Sequence, residues 1–210
     1  MRLDLINRHA RPPGRLLEIG PGHGTFAGHA TAGGWTYRAI EPSPALAADL
    51  RRHGYEVIEA FTPPIAGADA SADVVYADQV LEHMAGIDAA RQWVREAHRV
   101  LRPDGMLVVV VPDYLKERTF FWDVDYTHNF VTTERRVRQL LYDSGFTVLE
   151  IVRSIGAATG LQRDLLAGAS LFANVPGVDA LARHVGQDEL LFKIRKNLFE
   201  TLAFAARKDA

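Results

Sequence analysis

The sequence contains no cysteine. Disulfides and cysteine-ligated metal are therefore excluded, and cysteine usage says nothing about compartment. No apolar run reaches the length of a membrane span. The first residues, Met1-Arg2-Leu3-Asp4, lack the pattern of a signal peptide, so a cytoplasmic setting is the expectation. Neither charge dominates: 24 Lys and Arg stand against 26 Asp and Glu, a net of −2. With no global field and no dense basic stripe, nucleic acid is not an expected partner. Repeats, low-complexity tracts and interdomain linkers are also missing. What is present is ordinary for a folded domain: 210 residues, 48% of them hydrophobic. That suffices for one domain with a sizeable core and is too little for two.

The chain is organised around Leu16-Leu17-Glu18-Ile19-Gly20-Pro21-Gly22-His23-Gly24-Thr25-Phe26. The apolar run reads as a buried strand, and the residues from Thr25 as a helix. Between them lie glycines at alternate positions, whose backbone reaches angles closed to other residues. A strand–glycine–helix passage lets a ligand rest on bare main chain, with the helix pointing its free N–H groups at the same place. A glycine-rich structural turn is the plain alternative. A nicotinamide fingerprint needs glycine at position 25, where Thr25 stands. Glu18, just before the loop, can accept from an ammonium or from the loop's own N–H groups.

Trp35 to Ile40 reads as a second strand, closed by Glu41-Pro42-Ser43-Pro44. A carboxylate at a strand's carboxyl end can accept from both hydroxyls of an adenosine ribose; the alternative for Glu41 is a helix-start acid. Ala45 to His53 is expected as helix, Tyr55 to Ile58 as a short strand, and 59–72 as loop. Asp73 opens another buried strand running into Asp78-Gln79-Val80-Leu81-Glu82-His83. Ile87, Ala90, Trp93, Val94, Ala97 and Val100 recur at helical spacing. Leu101 to Gly105 reads as a stop and tight turn before an apolar central strand, Met106 to Val111.

Three stretches, "LLEIGPGHG", "VLEH" and "LRPDGMLVVVVP", resemble in order and spacing the motifs of the class I S-adenosylmethionine-dependent methyltransferases of the small-molecule branch. They cover residues 16–112, about half the chain. "THNFVTTERRVRQLLYDSGF" is similar to what often follows in that family. The resemblance implies an α/β, Rossmann-like sheet of seven mostly parallel strands. Helices cover both faces, the last strand is antiparallel, and residues 1–210 form a single domain. It implies S-adenosyl-L-methionine as methyl donor, leaving as S-adenosyl-L-homocysteine. Glu18, Gly20, Pro21, Gly22, Gly24, Glu41 and Pro42 would hold the donor. Asp78 and Gln79 would flank its methionine part and reacting methyl. An acid commonly contacts the adenine amino group, and Glu59 is the candidate, with Ala60 in its place if the register shifts by one. His83 either lines this site or braces the turn by a local hydrogen bond.

Acceptor choice belongs to the rest of the chain. Pro112 to Phe130 interleaves aromatic rings with polar groups, so Tyr114, Trp122 and Tyr126 are candidates for an acceptor pocket, loop packing being the alternative. His128 is the candidate general base, with Asp125 three residues away to orient it. The alternative is a histidine that pins the loop through a backbone bond. Thr132 or Thr133 caps a helix running to Ser144, and Thr147 to Val152 is a sixth strand. Residues 155–190 carry Leu161, Leu165, Leu166, Leu171, Phe172, Val178 and Leu181 at helical spacing. We read them as a lid, with a homodimer contact or a membrane-binding helix as alternatives. Leu198 to Ala206 suits the final strand. No metal site is expected, because His23, His83 and His128 are not at ligand spacing. The expected function is methyl transfer to an oxygen of a sugar or secondary metabolite. The alternatives are a lipid or quinone methyltransferase at a membrane, or a non-catalytic binding partner of the same fold.

Overall fold

The computed structural model describes residues 2–173, 175 and 177–209; the side chains of 169, 171 and 172, and with them the expected lid contributions of Leu171 and Phe172, lie outside the described residues. The strands are β1 (Arg15–Ile19), β2 (Thr36–Ile40), β3 (Glu56–Ile58), β4 (Ala72–Asp78), β5 (Leu101–Pro112), β6 (Phe146–Ile155) and β7 (Glu200–Lys208). They form one sheet in the order β3-β2-β1-β4-β5-β7-β6. The first five run parallel, and β7 enters between β5 and β6 antiparallel to both. The strand order reverses between β1 and β4, and that is where a crevice opens at the carboxyl ends of a doubly wound sheet.

The helices are α1 (Arg2–His9), α2 (Thr25–Ala32), α3 (Pro44–Arg52), α4 (Ile87–Val100), α5 (Tyr114–Glu117), α6 (Phe120–Asp123), α7 (Glu134–Tyr142), α8 (Gly160–Ala173), α9 (Val178–His184) and α10 (Asp188–Asn197). The pleat sends alternate residues to opposite faces, so each face builds its own core. Leu16, Val74, Tyr76, Met106 and Val108 pack with α1, α2 and α3. Leu17, Val75, Ala77, Leu107 and Val109 pack with α4 and α7. Helix α4 turns Ala90, Trp93, Val94, Ala97 and Val100 onto that second core, all fully buried. Capping sets the other starts: Ser43 Oγ accepts from Leu46 N–H with Pro44 in the first turn of α3, and Thr133 Oγ1 accepts from Arg136 N–H at α7. Of the two threonines, Thr133 is the cap, while the Thr132 hydroxyl donates to the Pro112 carbonyl.

Three boundaries differ from the sequence reading. β5 starts at Leu101 rather than Met106, because Leu101 pairs with Ala72 before an irregularity at Ala72/Val74, while Asp104 takes φ 60. Residues 112–130 hold two short helical turns instead of open loop. The helical insertion between β6 and β7 runs through Asn197, so β7 starts at Glu200. α1 is anchored in the core: Leu5 and Ile6 are buried, and the Arg2 guanidinium reaches Asp78, Ser154 and Thr201.

Trp93→Ala is expected to lower unfolding free energy by about 3–5 kcal/mol, read from urea denaturation, since it empties a buried indole site. Trp122, 46% exposed, should cost far less on the same substitution.

Candidate functional site

At the carboxyl end of β1 the chain turns through Gly20 (φ 69) and Gly22 (φ 56) before α2. A Cβ on Gly20 would lie 2.9 Å from Val80 Cγ2, so a side chain is excluded by both backbone angle and contact. Around Gly22 nothing lies within 4 Å of a built Cβ, and the loop's main chain is open to a ligand there. Glu41, at the tip of β2, is only 4% exposed. Its Oε2 accepts from Gly22 N–H at 3.2 Å and its Oε1 from Ser43 N–H at 2.9 Å. A carboxylate offers about four lone-pair directions, so two remain for a ligand's hydroxyl groups.

Gly20 and Glu41 line a cleft of about 340 Å³ with Ile40, Pro42, Ala60, Phe61, Thr62, Gln79, Val80, His83 and Met84. A second cleft, about 220 Å³, lies at the opposite strand ends among Arg15, Thr36, Arg38 and Glu56. It has no glycine turn and no helix start, and it sits at the wrong edge of the sheet for a ligand site. Gln79 holds φ 58 and leaves its buried side-chain Nε2 without a partner at the wall of the first cleft. A buried amide donor without an acceptor is costly in the free protein and marks a place for a ligand atom.

Further acids gather behind the glycine turn. Glu18 is buried and accepts from the Tyr37 hydroxyl at 2.5 Å. Burial pushes its pKa up to about 7, opposed by the Tyr37 bond and reinforced by Asp78 and Glu41. Asp78 Oδ2 accepts from Tyr76 Oη at 2.8 Å and from Arg2 Nε at 3.2 Å. Asp78, Arg2 and Phe26 line a more open depression of about 510 Å³ on the α1–α2 side. Glu59 does not join the cleft; it is turned outward beside Arg51 at 3.5 Å, and Ala60 takes the lining position. Glu59 and Ala60 both lie beyond β3, and the cleft lining runs on through Ala60, Phe61 and Thr62. Phe61, 81% exposed at the cleft, was not anticipated. Its signal was present as a lone aromatic just after β3.

The segment 125–130 folds onto the turn Leu81–His83, where the Glu82 carbonyl accepts from Asn129 and Phe130 N–H. His83 Nδ1 meets Thr127 Oγ1 at 2.7 Å and His128 Nδ1 meets the Phe121 carbonyl at 2.6 Å. The two rings stand edge to face, 4.9 Å apart. Asp125 does not orient His128 as expected. Its Oδ1 accepts from Thr127 N–H and hydroxyl at 2.8 and 2.7 Å, the local turn that aspartate readily forms two residues back. Burial is the main influence on His128 and lowers its pKa, which keeps the ring neutral at pH 7. One ring nitrogen each of His83 and His128 and one Glu82 carboxylate oxygen lie within 4.8 Å of one another. Of His23, His83 and His128, expected not to lie at ligand spacing, the fold brings His83 and His128 together, which their separation in sequence concealed. Tyr126 is 94% exposed and Trp122 46%, and neither lines the cleft beside Gly20. Tyr114 instead packs edge-on against Phe121 and Trp122, so most of these rings hold the segment together.

A family model described as "Methyltransferase domain" matches residues 2–151. The chain belongs to that family. S-adenosylmethionine is its cofactor. The methyltransferase chain is 32% identical over 154 residues to a malonyl-[acyl-carrier protein] O-methyltransferase of Methylococcus capsulatus, covering 67% of this chain and 54% of that protein. It is 35% identical over 100 residues to an uncharacterized methyltransferase of Mycolicibacterium vanbaalenii, covering 45% and 37% respectively. The chain thus spans about half, or less, of the curated relatives' lengths. Solved structures of the same fold include an S-adenosylmethionine-dependent methyltransferase of Mesorhizobium loti, with TM-score 0.64, 16% identity and coverage of 93% and 91%. A phosphoethanolamine N-methyltransferase 2 of Haemonchus contortus in complex with S-adenosylhomocysteine has TM-score 0.69, 16% identity and coverage of 99% and 52%. The [4+2]-cyclase SpnF has TM-score 0.70, 19% identity and coverage of 100% and 80%, so this fold by itself does not fix the chemistry.

A raised carboxyl pKa favours the folded state when the group is protonated. The contribution of Glu18 is fully present below pH 4.5 and is lost as pH rises through about 7. Glu18→Gln should flatten the fall of the urea midpoint between about pH 4.5 and 7; an unchanged pH profile would remove Glu18 from this role.

Proposed function

We propose that this methyltransferase moves the methyl of S-adenosylmethionine to an oxygen atom of a small molecule. The observation that carries the reading is the Glu41 carboxylate, tied to Gly22 N–H with lone pairs to spare at the floor of the cleft. Glu41 then receives the ribose hydroxyls, Pro42, Ala60 and Phe61 flank the base, and Pro21 and Gly24 shape the loop. Gln79 Nε2 and the acids Glu18 and Asp78 face the aminoacyl part. A cationic donor suits this acid-rich crevice, and binding its ammonium favours the ionised form of Glu18. When bound, the donor supplies an activated methyl on sulfur, and the protein's work is alignment and exclusion of water.

A carboxylate acceptor needs no base, as the name of the Methylococcus relative illustrates. A hydroxyl acceptor loses its proton as the C–O bond forms and the C–S bond breaks. His128 is the residue proposed to receive that proton: its Nδ1 is held by the Phe121 carbonyl, which leaves a lone pair on Nε2. The insertion is proposed as a cover over the acceptor side of one domain. Phe192 of α10 packs edge-on against Phe120 at 5.5 Å, and Arg195 lies over the same ring while bonding Asp179. A membrane-facing reading, with a lipid or quinone acceptor, rests on the exposed side chains Leu161, Leu165 and Leu181, at 75%, 68% and 61%. Among the described residues no helix is long and apolar enough to cross a membrane. A homodimer through the same helices is the other use of that face.

Glu41→Ala should weaken S-adenosylhomocysteine binding by about 10–100-fold in titration calorimetry, since it removes a charged acceptor worth about 1.5–3 kcal/mol. Binding equal to wild type would overturn the donor assignment. His128→Ala should lower turnover on a hydroxyl acceptor about 100-fold or more while donor affinity stays within a factor of a few.

A further inference from the structure

The site just described leaves Glu82 unexplained. It is fully buried, and neither carboxylate oxygen has a hydrogen-bond partner. Buried carboxylates are normally paired, hydrogen-bonded or bound to a metal. Its neighbours are not donors. The Thr127 hydroxyl gives its hydrogen to Asp125, which can only accept, so at His83 Nδ1 it takes the ring's N–H. The Phe121 carbonyl likewise can only accept, which places the proton of neutral His128 on Nδ1. In its neutral form each ring then carries its lone pair on Nε2. Two ring nitrogens and a buried carboxyl thus come together with no hydrogen bond made by the carboxyl.

We infer that Glu82, His83 and His128 form a binding site for a first-row divalent cation at the inner wall of the cleft. Two imidazoles and a carboxylate are a donor set suited to zinc, iron or manganese rather than magnesium. Donors on such an ion, ligated at roughly 2.0–2.2 Å, stand about 3.5 Å apart, and the three here lie within 4.8 Å of one another. Small side-chain rotations close that gap. The outer partners are those a metal-ligating histidine uses: a backbone carbonyl behind His128, and behind His83 a hydroxyl backed by the Asp125 carboxylate. The scaffold is rigid, because the Glu82 carbonyl itself clamps Asn129 and Phe130. Since a cation takes the His128 lone pair, His128 accepts a proton only in the cation-free protein.

The test uses the full chain without a histidine tag, stripped with a chelator, and titrated with zinc or manganese chloride by calorimetry. Far-UV circular dichroism of each sample checks folding, and S-adenosylhomocysteine binding is measured in parallel. One equivalent of cation should bind with micromolar or tighter affinity and raise the melting temperature. Glu82→Gln and His128→Asn should each weaken it at least 10-fold. Thr127→Val, which keeps all three ligands, should weaken it about 10-fold or more. If Glu82→Gln does not fold, His83→Asn and His128→Asn carry the comparison. Absence of saturable binding by wild type, or equal affinity in the ligand variants, overturns the site. Cation failure with S-adenosylhomocysteine still bound leaves the proposed function standing and returns His128 to the role of base. Loss of S-adenosylhomocysteine binding alone overturns the proposed function and not the cation site.

Discussion

The Glu41 carboxylate joins what the parallel sheet would otherwise leave separate. β1 and β2 are neighbours in register, Ile19 beside Ile40, but beyond their ends the glycine turn and the start of α3 diverge. One side chain bridges them, accepting from Gly22 on one side and Ser43 on the other. Being 4% exposed, it makes those bonds in a medium that screens them weakly. The same arrangement fixes the loop's N–H groups and presents the remaining lone pairs at the cleft. A structural tie and a ligand-binding group are here one carboxylate.

Around that tie the molecule concentrates acids at the carboxyl edge of the sheet. Glu18 and Asp78 sit at the ends of β1 and β4, and Glu82 just beyond. Burial raises Glu18 toward neutrality and Glu82 to about 8. Carboxyls held this way sit unstably between their charged and neutral forms. A cationic ligand relieves their mutual repulsion and their desolvation together.

The other half of the chain is built by packing rather than by pattern. Arg153 on β6 reaches Asp113, Glu134 and Glu200, drawing the ends of β5, α7 and β7 together. Glu117 accepts from Glu200 N–H at 2.6 Å from the short helix before the aromatic segment. Phe120 then receives Phe192 and Phe199 from the far side of the insertion. The segment after β5 is thus wedged between the sheet and the added helices. Its rings are spent largely on holding it there.

The strands, their parallel order, the glycine turn and the acid at the tip of β2 were legible in the chain, because each follows from local rules. Alternation fills two faces, glycine alone accepts the turn's angles, and helices start at Ser43 and Thr133 through their own side chains. Where the sequence left alternatives, a contact distant in the chain decided. Ala60 rather than Glu59 lines the cleft, with Glu59 drawn out beside Arg51 of α3. Asp125 serves Thr127 and not His128 because a short acid reaches its own backbone before a ring beyond it. The meeting of Glu82 and His83 with His128 could not be read from spacing at all. It exists because main-chain bonds from Asn129 and Phe130 fold a loop back across a turn, and pairings of that kind belong to the tertiary structure alone.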